Sequence, residues 1–505
     1  MMPIRLSAIP IAIAAACLLP GAAAASTTME SIFEDDFQIL SLGPSEQSRA
    51  LDDFDRLGAD VVRSLVYWNR LARKPRSKKR PRGFRAQDPA AYRARDWDRY
   101  DDLVRGAGAR GMAVLLSPSS PMPAWASQCK GSAKKRRTCK PRPRDYGRFL
   151  QALGTRYSGT YADENQGRGI LPRVDRWSFW NEPNQPGWLM PQYSLRNGRR
   201  VAFAAHRYRA LVRAGAAGLR RSGHGSDLRL LGETAPIGRT SGSLARRPIP
   251  PVDFIRELLC LTRSGKRQRG ATARASGCTR PGRLAVNAYA HHPYTRGGSQ
   301  PPRSRVLPGE ITISTASRLK RMLTQGARAG RIPAGMPIHY TEFGYQTNPP
   351  DRLFGVTLEE QATYLNESDW IAYRDGRVKS VAQYKLVDEP ELASFQTGLK
   401  FVNGTAKPAW DAYRLPLWVS RAGSAEARVY GQVRPAEDNA LELVELQHRP
   451  GRNSAFTTVQ VIEVTSPKGH FLVSTPARAG QWRLRWAPSA GGPVVLSRVA
   501  GTAKR

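Results

Sequence analysis

Trp177-Ser178-Phe179-Trp180-Asn181-Glu182-Pro183-Asn184 is a short apolar run that delivers an amide and a carboxylate side by side and is stopped by a turn-forming proline. A strand buried on both faces has this texture, with polar groups where the chain leaves the sheet. A second run, Ile338-His339-Tyr340-Thr341-Glu342-Phe343-Gly344, also ends on a carboxylate and stops at a glycine. Two strands that each finish on a glutamate predict one sheet with carboxylates gathered at one end.

Outward from these runs, residues 26–415 alternate short apolar segments with amphipathic ones. The apolar segments are 29–33, 61–67, 112–116, 177–180, 230–232, 284–289, 337–341 and 378–386. Helical periodicity falls at 46–57, 97–107, 145–157, 202–221, 252–260, 314–329, 358–373 and 408–414. Eight such units predict an α/β fold, a (β/α)8 TIM barrel over 26–415 with long loops. A doubly wound open sheet is the rival, but no glycine-rich turn follows an early strand.

Beyond 414 the texture changes to short, β-branched segments at 427–433, 441–447, 457–464, 470–473, 481–486 and 494–499, separated by Pro, Gly and Asn. Residues 416–505 are therefore expected to form a small antiparallel β-sandwich, immunoglobulin-like or fibronectin-like, with Trp482 and Trp486 filling its core.

Residues 1–25 read as a secretory signal peptide: Arg5, an apolar stretch over 6–19, and Ala23-Ala24-Ala25 before Ser26. A lipid anchor at Cys17 is the competing interpretation, opposed by Ala14-Ala15-Ala16, which lacks a large aliphatic residue. The expected location is secreted, extracellular or associated with the cell envelope. Cys129, Cys139, Cys260 and Cys278 then allow three connectivities, of which local pairing, 129 with 139 and 260 with 278, is the simplest. Zinc ligation is disfavoured by the lack of C-x-x-C spacing and of neighbouring histidines. Mean hydropathy is −0.48, and no later apolar run approaches the ~20 residues needed to span a bilayer, so membrane insertion is not expected.

The two glutamates suit glycoside hydrolysis. That chemistry requires one carboxyl to protonate the leaving sugar oxygen and another to attack the anomeric carbon or activate water. In a barrel of this class functional groups sit at the C-terminal ends of strands, so both would enter one cavity. His291 alternates away from His292 and is expected to pack or face solvent. Tyr67, Trp68, Trp125 and Trp188 follow strands and are candidates for stacking on sugar faces.

Residues 180–184 and 341–344 resemble the acid/base and nucleophile motifs of clan A retaining glycoside hydrolases, with families 39 and 5, the cellulase-like enzymes, nearest. The resemblance runs in order through Arg63 after Val61-Val62, Asn181-Glu182, His292-Pro293-Tyr294 and Glu342, and does not cover the sandwich. It implies that Glu182 is the acid/base and Glu342 the nucleophile. It also implies that Asn181 binds the sugar 2-hydroxyl, that Arg63 orients and ionises Glu342, and that His292 and Tyr294 complete the hydrogen-bonded shell. One departure is the eighth strand, Val381-Ala382-Gln383-Tyr384-Lys385-Leu386, which lacks the tryptophan such enzymes carry at the catalytic subsite; Gln383 or Tyr384 is expected in its place.

The 79 basic and 41 acidic residues leave a net charge of +38. Two basic clusters, 73–82 and 130–144, follow the second and third predicted strands and thus fall on the catalytic face. They point to an anionic glycan as substrate, with solvated loops as the alternative. A second class, a non-catalytic barrel that binds anionic envelope polymer or nucleic acid, is opposed by the paired glutamates and by the lack of any nucleic-acid-binding motif. The expectation is a monomeric hydrolase with a carbohydrate partner, no nucleic acid, no cofactor and no metal.

Overall fold

The computed structural model describes residues 26–503 apart from 166, 197 and 437–439, so the expected signal peptide and Cys17 lie outside the described residues. Eight parallel strands close into a barrel: β1 (Glu30–Glu34), β2 (Val61–Tyr67), β3 (Ala113–Ser119), β4 (Arg176–Ser178), β5 (Leu228–Thr234), β6 (Ala288–His291), β7 (Ile338–Tyr340) and β8 (Val378–Tyr384). Each neighbours the next, and β8 returns to β1 in register from Glu30↔Ser380 to Glu34↔Tyr384. Alternate residues Ile32, Val61, Leu115, Leu230, Ala288, Ala290 and Ala382 fill the barrel as one apolar cluster. The intervening residues, such as Val62, Leu116, Leu231 and Tyr289, pack outward against the helices.

A helix follows each strand: α1 (Pro44–Arg56), α2 (Ala94–Gly108), α3 (Pro143–Arg156), α4 (Phe203–Arg221), α5 (Pro251–Leu258), α6 (Ala316–Arg328), α7 (Leu358–Tyr373) and α8 (Ala409–Arg414). Proline at the first position starts α1, α3 and α5, where its missing N–H costs nothing. A reciprocal Thr357–Glu360 capping box starts α7. Helices α3 and α4 approach so closely that a Cβ on Gly218 would lie 2.1 Å from the Gly147 carbonyl oxygen. Disulfides join Cys129 to Cys139 in the loop after β3 and Cys260 to Cys278 in the segment after α5.

The chain then forms a β-sandwich. One sheet has the order β9 (Leu417–Arg421), β10 (Glu426–Gln432), β13 (His470–Pro476); the other is built on β12 (Thr457–Val464), β11 (Glu442–Arg449) and β14 (Gln481–Trp486), with the short β15 (Val495–Leu496) and β16 (Ala500–Gly501) along β14. Strand β9 has no counterpart among the sequence-predicted strands. Trp482 and Trp486 lie in the shared core with Val419, Val429, Val444 and Leu446. The sandwich is seated on the barrel by Tyr430 against Tyr373, 4.7 Å between rings, by Arg434 paired with Asp369, and by the His470 ring at the Met29 carbonyl. Met29 precedes β1 and Tyr373 ends α7, so these contacts lie at the end of the barrel opposite the strand C-termini. Among the described residues no helix is long and apolar enough to cross a membrane.

Candidate active site

A cavity of about 590 Å³ opens at the C-terminal ends of the barrel strands, within the usual size of small-molecule sites. Glu34, Tyr67, Asn181, Glu182, Trp188, Tyr294, Glu342 and Tyr384 line it. Arg63 lies beneath, fully buried on the inward face of β2. Its guanidinium reaches four strand ends at once: it donates to Glu34, to Asn181 Oδ1 at 2.8 Å, to Glu233 Oε2 at 3.0 Å and to Glu342 Oε2 at 3.4 Å. With Oδ1 occupied, Asn181 keeps its amide nitrogen as the group it can offer a ligand.

His292 is the second cation of the floor. Its Nε2 donates to Glu233 Oε2 at 2.7 Å, and its Nδ1 lies 3.2 Å from Glu182 Oε1 and 3.4 Å from Glu342 Oε2. Burial alone would lower its pKa, but Glu342, Glu182 and Glu233 outweigh that and push it up to about 10. His291, one residue earlier, is turned away between Thr234 and the Ile311 carbonyl, and burial holds it down to about 3, a neutral ring.

Glu182 and Glu342 face each other with His292: one donor atom from each of the three lies within 4.8 Å of the others. Glu342 accepts from the Tyr294 hydroxyl at 3.1 Å and from Arg63. Its pKa is raised, first by burial and then by Glu182, against the pull of His292, Arg63 and Tyr294. Glu182 is the more exposed of the two. The trio has the residue types of a metal site, and His292 faces carboxylates at both nitrogens, Glu233 at Nε2 and Glu182 and Glu342 at Nδ1, an arrangement that a ring protonated on both nitrogens satisfies.

The local backbone is bent to make it. Trp180, Glu182, Glu233 and Lys385 have φ of +63°, +36°, +48° and +75°, a region side chains other than glycine seldom occupy and one that concentrates at functional sites.

Two floor residues are absent from the sequence-predicted set. Glu34 ends β1, shares the inward face with Ile32, and has a pKa raised well above 4.5, chiefly by burial. Glu233 lies under the cavity, bonded to Arg63, His292 and the Thr341 hydroxyl at 2.8 Å. Burial would raise Glu233, but Arg63 and His292 hold it down to about 2. A register shift between Gly232 and Thr234 turns it inward. Glycine inside a strand run was the available signal.

Three expected residues lie elsewhere. Trp68 is fully buried, stacked on Phe149 5.3 Å away and edge-on to Trp125, whose Nε1 donates to the Arg73 carbonyl. Both indoles fill the packing between the loops and α3 rather than facing the cavity. Gln383 is also buried and donates to the carbonyls of Tyr384, Lys385 and Thr397. Tyr384 is the strand-eight residue that lines the cavity.

No family model matches the chain, and no curated protein matches it. Among solved structures it is similar to the exo-β-1,4-mannosidase Op5Man5 from Opitutaceae bacterium strain TAV5, at 12% identity over 78% of this chain and 60% of that one, TM-score 0.42. It is similar to the family 1 β-glucosidase from Thermotoga maritima, at 12% identity, 72% and 84% coverage, TM-score 0.42. GH5_18 from Streptomyces cattleya in complex with GlcNAc gives 15% identity, 77% and 79% coverage, TM-score 0.45. The chain thus spans 60% of the mannosidase's length. At these scores the barrel assignment rests on the closed strand order itself.

Proposed function

We propose that the protein is a glycoside hydrolase that works by double displacement with retention of anomeric configuration. The observation that carries this is that one carboxyl oxygen of Glu182, after β4, lies within 4.8 Å of one carboxyl oxygen of Glu342, after β7, in one cavity. Retaining pairs stand about 5–5.5 Å apart, and inverting pairs need about 6.5–9.5 Å to admit a water.

Double displacement needs the proton on the acid/base and a bare carboxylate on the nucleophile. With that proton on Glu182, the repulsion Glu182 exerts on Glu342 disappears, and Glu342 faces His292, Arg63 and Tyr294 as a carboxylate. A Glu342 oxygen attacks the anomeric carbon while Glu182 gives its proton to the departing glycosidic oxygen, leaving a glycosyl ester on Glu342 and a free alcohol. Glu182, now ionised, takes a proton from water as that water attacks the same carbon; the ester bond to Glu342 breaks and the sugar leaves with a new hydroxyl. Asn181, its oxygen held by Arg63, offers its amide to the sugar 2-hydroxyl.

We read the chain as a secreted monomer whose catalytic unit is 26–415 and whose sandwich, 416–505, is an accessory unit at the far end of the barrel. The test is reducing-sugar release from a panel of polysaccharides by wild type and by Glu342→Gln. Release by wild type alone is expected; equal release by both, or none by either, contradicts the proposal.

A further inference from the structure

The loops after β2 and β3, residues 68–93 and 120–142, hold 17 basic residues and one acidic residue, against 79 and 41 in the whole chain. Composition alone does not produce that ratio, so the charge is placed. The two loops form one surface: Ala124 N donates to the Pro75 carbonyl at 2.8 Å and Asn69 N to that of Pro121 at 2.9 Å. Lys74, Arg76, Lys78 and Lys79 on one loop and Lys134 and Lys135 on the other are exposed, and among the described residues none of them pairs with a carboxylate. Some basic residues of these loops serve the fold instead; Arg136 ties down three loop carbonyls and Arg80 pairs with Asp145.

This surface runs into the cavity at Arg70, an exposed cavity-lining residue whose guanidinium lies over the Tyr67 ring, 4.6 Å from its centre, with no carboxylate partner among the described residues. The loop after β1, residues 35–43, carries Asp35 and Asp36 and no basic residue, and the loop after β8, residues 385–408, is balanced at three acidic and three basic, with Lys385 paired to Asp35 and Glu389 and Lys407 to Asp388. The excess of positive charge therefore lies over β2 and β3 rather than over β1 and β8.

We propose that the substrate is a polyanionic polysaccharide bearing carboxylate or sulfate groups, with one anionic sugar met by Arg70 inside the cavity and the rest of the polymer laid over the β2 and β3 loops. This rests on the glycosidase assignment. A planar guanidinium held over an aromatic ring presents its N–H fork to a carboxylate or sulfate, and a one-signed rim concentrates a polyanion. A nucleic acid fits less well. Strand-binding surfaces need exposed aromatics on which bases stack, whereas Trp68, Phe84, Tyr92 and Trp125 of these loops are all buried.

Binding is measured on the Glu342→Gln protein, so that affinity is read without turnover, with polygalacturonate, dextran sulfate, neutral dextran and single-stranded oligodeoxythymidylate. Polygalacturonate or dextran sulfate is expected to bind, and the tighter of the two identifies the anionic group. Affinity should fall steeply with salt as the Debye length shrinks from about 30 Å at 0.01 M to about 8 Å at 0.15 M. Replacing Lys74, Arg76, Lys78 and Lys79 by serine should weaken binding about tenfold at low salt. Replacing the exposed sandwich residues Arg421, Arg428, Arg452 and Arg478 by serine removes the same net charge and should leave affinity unchanged. Arg70→Gln should weaken a galacturonate or sulfated trisaccharide while the neutral trisaccharide is unaffected. Equal losses from the two quadruple variants, tighter binding of the oligonucleotide, or equal binding of neutral dextran overturns the proposal. A failed glycosidase assignment has a separate signature: wild type leaves intact a polymer that the Glu342→Gln protein binds.

Discussion

The Arg63 guanidinium and the Glu233 carboxylate meet 3.0 Å apart beneath the cavity with neither side chain open to solvent. Removing two charges from water is expensive, and a pair in such a place is held by what else each partner bonds. Arg63 goes on to Asn181 and Glu342, and Glu233 to His292 and Thr341. One ion pair thereby ties β2 and β5 to the groups that end β4, β6 and β7.

Glu233→Gln should therefore destabilise the protein by about 3 kcal/mol at neutral pH, the worth of a carboxyl held near 2 rather than 4.5. Because the folded pKa is the lower one, that stability is present above about 4.5 and disappears as pH falls toward 2. Denaturant unfolding of both proteins at pH 7 and pH 3 checks this: the gap should narrow in acid, and a gap independent of pH contradicts it.

Gly232→Ala should cost at least about 2 kcal/mol and most of the activity. Gly232 has φ of +117°, and a Cβ there would lie 2.4 Å from the Ala290 carbonyl oxygen. The bulge that aims Glu233 cannot keep its shape with a methyl group in that position. Melting temperature and turnover together test this; an alanine variant with wild-type values of both would show that the bulge is not needed.

How much of this was legible in the sequence follows the regularity of the strands. The alternation of β2 puts Arg63 inside with Val61, and Glu182 and Glu342 directly follow apolar strands, so all three could be read. Glu233 could not be placed by alternation: with Leu230 pointing inward, a regular strand sends Gly232 and Thr234 inward and Glu233 outward. Only the extra residue at Gly232 reverses it. On β8 the same two-residue period from the inward Ala382 selects Tyr384 over Gln383. Trp68 and Trp125 follow their strands as sugar-stacking aromatics do, yet the loops fold back and bury them, which depends on long-range packing that no local pattern encodes.

The pH dependence of turnover should report Glu342. A nucleophile works only when ionised, and burial raises this carboxyl above 4.5, so the acidic limb of kcat/KM should lie above that value. Tyr294→Phe removes a donor to the charged form and should move the limb upward. A limb that stays put or moves to lower pH would assign it to another group.

Glu182→Ala should separate substrates by leaving group. An activated aryl glycoside needs little protonation and should lose little in the first step, while a sugar leaving group should lose about 10²–10⁴-fold. Hammett-type comparison across aryl glycosides measures this, and equal losses throughout would remove Glu182 from the acid role.

The most direct measurement is a proton NMR time course of the first product released from the best aryl glycoside or oligosaccharide substrate. Carboxyl oxygens within 4.8 Å predict that the anomer formed first has the configuration of the bond cleaved, before mutarotation. First appearance of the opposite anomer would contradict attack by Glu342 and the double-displacement account with it.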